Sequence, residues 1–184
     1  MNRLVIFAVG ALAALYVLFS SIYIVNVREQ AILMRFGNII AVNTEPGLYF
    51  KVPTDFIDTV QVIEDRLLRY DIAGKNLQVS DGATYVVDAF LTYRIADAQK
   101  FRERAQGSLD QVESRIATSF DAALGAVYGK RNFNDALSAK RNEMMIEARD
   151  LIRPGLAELG VDVIDVRIKR TDLDERVEQA TYDR

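Results

Sequence analysis

The sequence predicts an α+β domain carried behind a single N-terminal transmembrane helix, and three observations predict it. The stretch Leu4 to Val27, LVIFAVGALAALYVLFSSIYIVNV, holds no charged residue and is bracketed by Arg3 and Arg28. Between 28 and 95 short apolar runs alternate with Gly, Pro, Asn and Asp, the punctuation of strands and turns. Between 97 and 159 apolar residues recur at three- and four-residue spacing, the period of amphipathic helices.

The N-terminal stretch is long enough to span. At about 1.5 Å per residue, Leu4 to Val25 would reach roughly 33 Å as a helix, against roughly 30 Å for the hydrocarbon core of a bilayer. A buried helix of a soluble domain would show a polar stripe, whereas the only polar side chains here are Tyr16, Ser20, Ser21, Tyr23 and Asn26. A cleaved secretory signal has a shorter apolar core with small residues just after it. Here Ala11, Ala13 and Ala14 lie mid-stretch, and bulky Ile22, Tyr23, Ile24 and Val25 stand where a peptidase would act. An uncleaved signal-anchor over residues 1–27 is therefore expected. Arg3 on one side and Arg28 with Arg35 on the other leave its orientation undecided by charge.

Composition narrows the chemistry. The chain has 184 residues, with 23 Lys and Arg against 26 Asp and Glu, a net charge of -3. That balance offers nucleic acid no basic surface. Cys and His are both absent, which removes the usual zinc ligands and the usual general base of hydrolases. No cofactor, no metal and no enzymatic activity are expected. The portion of the chain beyond residue 27 is long enough for one domain of ordinary size or two small ones.

Beyond the anchor, Ala31 to Gly37 reads as a strand, and Glu45-Pro46-Gly47 as a type II turn with Gly47 at positive φ, leading into a strand that ends at Pro53. Thr59 to Ile63 and Arg66 to Ile72 are further strands. Turn signals at Gly74-Lys75-Asn76 and Ser80-Asp81-Gly82 enclose a short extended piece, Leu77 to Val79. Ala83 to Ile95 alternates cleanly: Tyr85, Val87, Ala89, Leu91, Tyr93 and Ile95 share a core face, and Asp88, Thr92 and Arg94 the other. Asp97 caps a short helix through Arg104, and Ser108 with Gln111 forms a capping box for a longer one. That longer helix aligns Leu109, Val112, Ile116, Phe120, Ala123, Leu124 and Val127 and stops at Gly129. Another helix runs from about Asn134 to Leu159, with Leu137, Met145, Ala148, Leu151, Ile152, Leu156 and Leu159 inward and a kink or break at Pro154. After Gly160, Val161 to Lys169 is a strand with Ile164, Val166 and Ile168 on its apolar face and Val163, Asp165, Arg167 and Lys169 on the other. Residues 172–184 read as the start of a long, charged C-terminal helix of the kind that joins a partner.

Several of these stretches, VREQAILMRFG with EPGLYFKVP, SDGATYVVDAFLTYRI, and GVDVIDVRIKRTDL, resemble in order and spacing the SPFH or band 7 family, which includes stomatins and prohibitins. The resemblance covers nearly the whole chain. An apolar segment at the very N-terminus and the DVRIKR strand favour the branch whose members pair with HflK-like subunits. Asp174 stands where the family often has Pro, and the long coiled coil that the family places after TYDR lies beyond these 184 residues, so a longer natural chain is expected. The resemblance implies an SPFH domain over 28–171 and a single-pass protein of the bacterial inner membrane with its main domain in the periplasm. It also implies a hetero-oligomeric ring or cage with HflK-like subunits that encloses an FtsH-like membrane protease and limits its access to substrates. A stomatin-like homo-oligomer that organises lipid without a dedicated protease is the alternative.

Three groups of residues are candidate sites. Leu48, Tyr49, Phe50, Val52, Pro53, Phe56 and Ile57 are either strand core or a loop dipping into the lipid bilayer, with Tyr49, Phe50, Phe56 and Ile57 as the interface residues. Asp88, Arg94, Asp165, Arg167, Lys169 and Arg170 are either solvated strand faces and internal ion pairs or, for Asp165, Arg167, Lys169 and Arg170, contacts that fix register between subunits. Glu143 and Glu147, one helical turn apart, read as a solvated helix face.

Overall fold

The computed structural model describes residues 3–80, 82, 84–131 and 140–173, and the chain forms two compact units, Met1–Arg66 and Leu67–Arg184. Both mixed α and β structure and the placement of most elements agree with the sequence pattern. The departures have identifiable physical causes.

In the first unit, helix α1 (Arg3–Ser20) ends before the apolar stretch does. Ser21 closes it, its N–H donating to the Val17 carbonyl at 3.1 Å and its hydroxyl to the same oxygen at 2.8 Å. The chain then leaves as strand β1 (Ile22–Val25), antiparallel to β4 (Gly47–Phe50). The expected helical reach to Val25 is thus shortened: Ile22, Ile24 and Val25 are β-branched and Tyr23 aromatic, side chains that suit a pleated strand when a partner strand is at hand. Among the described residues no helix is long and apolar enough to cross a membrane.

A three-stranded antiparallel sheet completes this unit in the order β3 (Asn38–Asn43), β2 (Glu29–Arg35), β5 (Asp58–Glu64). Being central, β2 buries Gln30, Ala31, Ile32, Leu33 and Met34 in succession, the continuous pattern of a strand covered on both faces. The expected type II turn is not formed, because Gly47 lies in β4 and is not among the positive-φ residues. Positive φ appears instead at Phe36 (48°) and Gly37 (82°), between paired Arg35 and Asn38. These are the signs of a two-residue type I′ hairpin turn.

In the second unit the sheet order is β6 (Leu68–Gln78), β7 (Thr84–Ile95), β8 (Val161–Leu173). β6 joins what the sequence suggested were two pieces: the register shifts between Ile72 and Lys75, and Gly74, at φ 64°, forms a bulge rather than a turn. Asp88 accepts the freed Gly74 N–H at 2.7 Å. β7 is central, and its predicted face, Tyr85 to Ile95 by twos, is at most 2% exposed. Burying residues such as Val87 and Leu91 stabilises by about 1.5–3 kcal/mol each.

Strand β8 breaks simple alternation twice. Thr92 and Tyr93 pair with Asp165 and Val163, and Asp88 and Ala89 with Arg170 and Ile168, so Ile164 and Lys169 are each one residue too many. Such bulges invert the facing of the residues beyond them. Val161, Val163 and Val166 are therefore the buried residues, whereas Ile164, expected inward, is 37% exposed. Asp172 and Leu173, where a helix was expected to start, are still strand, opposite Val86 and Tyr85. The rest of that expected helix lies outside the described residues.

Helices cover the inner face of this sheet. Asp97 caps α2 (Ala98–Arg104), accepting from the Lys100 N–H at 3.0 Å. Ser108 occupies the N-cap of α3 (Leu109–Gly129) without a side-chain cap bond; Gln111 donates to Gln106 at 3.2 Å instead, so the expected capping box is absent. α3 buries Val112, Ile116, Phe120, Leu124, Val127 and Tyr128, and the Tyr85 and Tyr128 rings meet edge to face at 6.5 Å. Helix α4 (Arg141–Ala157) runs unbroken past Pro154. Pro154 is exposed, so the Asp150 carbonyl it leaves without a donor faces water. Met144, Met145, Ala148, Ile152 and Leu156 are buried, but Leu151, expected inward, is 50% exposed. The helix start expected at Asn134, and Leu137, lie outside the described residues.

Candidate functional site

The β1/β4 ribbon has two unlike faces. Paired residues share a side, and the register sets Tyr23 opposite Tyr49, Ile22 opposite Phe50 and Ile24 opposite Leu48. The tyrosine rings stack with centroids 5.7 Å apart, and Asn43 donates to the Tyr23 hydroxyl at 2.6 Å. On the other face Ile22, Ile24, Leu48 and Phe50 stand 37%, 65%, 54% and 70% exposed. This apolar face comes directly after α1, whose side chains from Val5 to Phe19 are exposed as well.

Hydrogen bonds hold the neighbouring loop to the end of α1. Lys51 N–H donates to the Ser21 carbonyl at 2.8 Å, and the Ser20 hydroxyl to the Pro53 carbonyl at 3.4 Å. Within the loop Phe56 is the most exposed large apolar side chain of the described residues, at 88%. The loop's base is Asp58, fully buried. Its carboxylate takes the Arg35 guanidinium in a fork, Nε at 2.7 Å and Nη2 at 2.9 Å, and also the Val52 N–H at 2.9 Å. Those donors, Arg35 first, lower its pKa to about 2.

The predicted interface residues thus divide. Phe50 and Phe56 project outward, while Tyr49 is half-buried against Tyr23 and Ile57 is half-buried with its carbonyl engaged by the Phe36 N–H at 2.9 Å. Ile22 and Ile24 were missed because they sat inside a run read as helix; the clustering of β-branched residues at 22–25 was the available signal.

The charged candidates lie on the outer face of the second unit's sheet, centred on Phe90. Arg69 covers the Phe90 ring at 3.9 Å from its centroid and Lys169 approaches at 5.9 Å, a cation–π arrangement. Lys169 pairs with Asp71 across the sheet, Arg167 pairs with Asp165 at 2.7 Å, and Arg170 stands opposite Asp88 in register. Lys169 first and Arg69 next lower the Asp71 pKa, and Asp165 raises that of Arg167. Arg94 meets Asp162 at 3.9 Å. These charges are thereby engaged within the sheet's own face. Of the carboxylate pair on α4, Glu147 is held by Arg131 at 3.0 Å and Lys130 at 3.4 Å, which lower its pKa. Among the described residues no cluster of three or more potential metal ligands occurs.

The chain is similar to proteins named HflC. Protein HflC of Haemophilus influenzae is 29% identical over the whole of this chain, and Protein HflC of Buchnera aphidicola from Acyrthosiphon pisum is 26% identical, also over the whole. The Modulator of FtsH protease HflC of Escherichia coli K12 is 25% identical over 92% of this chain. The chain spans 64% of the length of the first and third of these and 65% of the second. A family model for the SPFH domain matches from residue 23, inside β1, through residue 184. With that match covering both units, the chain belongs to the SPFH domain / Band 7 family.

Proposed function

We propose that this protein is a membrane-anchored, non-enzymatic scaffold of the bacterial inner membrane, with its main domain periplasmic, that assembles with HflK-like subunits into a ring or cage and restrains an FtsH-like protease. The observation that carries the membrane part is the exposed, largely apolar surface of α1 from Val5 to Phe19, followed beyond Ser20 and Ser21 by the outer β1/β4 face. Its α1 part, at about 1.5 Å per residue over Arg3–Ser20, rises about 27 Å, and the ribbon face adds apolar depth at its end. Outside a bilayer such a surface is an aggregation liability. Similarity to a modulator of FtsH protease supports the regulatory part. Asp165, Arg167, Lys169 and Arg170 are the residues we assign to subunit contact, because each could exchange its internal partner for one on a neighbour at small cost.

Purification in mild detergent tests this reading. Recovery together with an HflK-like chain and an FtsH-like protease is expected; recovery of lipid-rich homo-oligomers alone would favour a stomatin-like organiser of lipid. Reversing the charge of Arg167 is expected to weaken the assembly, and an intact assembly would remove β8 from the contact.

A further inference from the structure

We infer that β6 is a self-pairing edge: a second copy of this chain adds its own β6 antiparallel about Tyr70, joining two three-stranded sheets into one of six strands. The inference does not depend on the membrane or protease reading above.

β6 lies at one edge of its sheet, and among the described residues no side chain is bonded to its Leu68–Ile72 backbone. The opposite edge differs. There α4 lies against β8, with Arg153 and Arg141 donating to the Val163 and Ile168 carbonyls, each at 3.1 Å. An edge strand with free N–H and C=O groups is a template for another strand. The bulge between Ile72 and Lys75 ends the regular stretch, so pairing is confined to the residues before it.

Those residues read Leu68-Arg69-Tyr70-Asp71-Ile72, a run that complements itself when reversed. With the two Tyr70 residues opposite one another, Leu68 meets the second copy's Ile72 and Arg69 meets the second copy's Asp71, each pair occurring twice. Cross-strand pairs of aromatic residues and of opposite charges stabilise a sheet, and like charges directly opposite destabilise it. A slip of two residues either way would set Arg69 against Arg69 or Asp71 against Asp71. A slip of one would turn the second copy's helix-covered face to the wrong side.

The side chains are free to serve. Arg69 and Asp71 are joined to each other at 2.9 Å yet stay 47% and 46% exposed, so each can take a further partner of opposite charge. Leu67, 62% exposed, would lie opposite the second copy's Ala73 and lose part of its contact with water. A two-fold contact closes after two copies, which separates it from the β8 contact assigned above to a ring.

The chain has no Cys, so introduced thiols report without background. Cells expressing the full chain with Tyr70→Cys or with Ile72→Cys are oxidised mildly, and the chain is purified under denaturing conditions without reductant. Tyr70→Cys is expected to give a covalent pair of this chain. Ile72→Cys is expected to give about tenfold less, because the register leaves its two thiols four residues apart, roughly 13 Å, beyond the reach of a disulfide. No pair from Tyr70→Cys, or equal yields from both, would overturn the inference; an adduct with a different protein would assign the edge to a foreign strand and overturn it as well. Adding Arg69→Asp or Asp71→Arg to the Tyr70→Cys chain sets like charges opposite and is expected to lower the yield about tenfold in each case. Co-expressing those two variants restores opposite charges across a mixed pair, so the yield is expected to return, which a folding defect in either chain would not permit. A mixture that stays unlinked would overturn the register.

Discussion

At Gly160 the backbone stands at φ 76°, and a Cβ there would lie 2.2 Å from the Asp97 carbonyl oxygen and 2.9 Å from the Phe101 nitrogen. The Gly160 carbonyl in turn accepts from the Ala96 and Asp97 N–H groups at 2.9 and 3.0 Å. Gly160→Ala is expected to destabilise by about 3 kcal/mol, combining left-handed strain with a backbone clash, as read from urea unfolding. Asp58 gives a pH signature. Its carboxyl titrates at about 2 in the folded chain, below the roughly 3.9 of an unfolded aspartate. Its contribution is therefore full above about pH 4 and is lost as pH falls toward 2. Asp58→Asn is expected to unfold at lower urea than the parent at pH 7, with the gap narrowing at pH 3. The two residues differed in legibility. Gly160 was readable as a helix stop, though not as a point of backbone contact with α2, while Asp58 looked like any polar residue at a strand start. Its burial depends on Arg35, 23 residues away, and no local pattern carries that pairing.

Elements were legible where one face is buried and the period runs uninterrupted. β7 and α3 satisfy that condition, and their buried residues are largely those the spacing selects. β8 fails it through two bulges, which decide between Val163 and Ile164. Val163→Thr is expected to cost about 1–3 kcal/mol, because a hydroxyl would be buried without a designed partner. Ile164→Thr is expected to stay within about 0.5 kcal/mol. Uninterrupted alternation predicts the reverse order, so paired denaturation curves decide it. β1 escaped notice for another reason: an apolar run of four residues after an apolar helix has no period of its own. In α4, Pro154 replaces a helical donor on the exposed side, and Pro154→Ala is expected to stabilise by about 1–3 kcal/mol by restoring it, visible as a higher thermal midpoint.

Taken whole, the chain joins an apolar, exposed N-terminal portion to two compact cores with ordinary interiors. It is expected to stay with membranes through alkaline carbonate extraction. Leu12→Arg combined with Leu15→Arg should release it, each arginine costing about 2.5–3.5 kcal/mol near a helix centre. Ile24→Ser with Leu48→Ser should not, since α1 retains its full apolar surface. The division into two units was left open by length, and the family resemblance was legible only from motifs spread along the chain. One junction has a mechanical consequence. Ser21 alone separates α1 from β1, and both its N–H and its carbonyl are bonded, to Val17 and to Lys51. There is no swivel. Under the membrane-anchored function proposed above, a thicker or thinner bilayer that reoriented the helix would lean the attached ribbon by a like angle, and this junction would work as a stiff tiller through which lipid thickness steers the strands it carries.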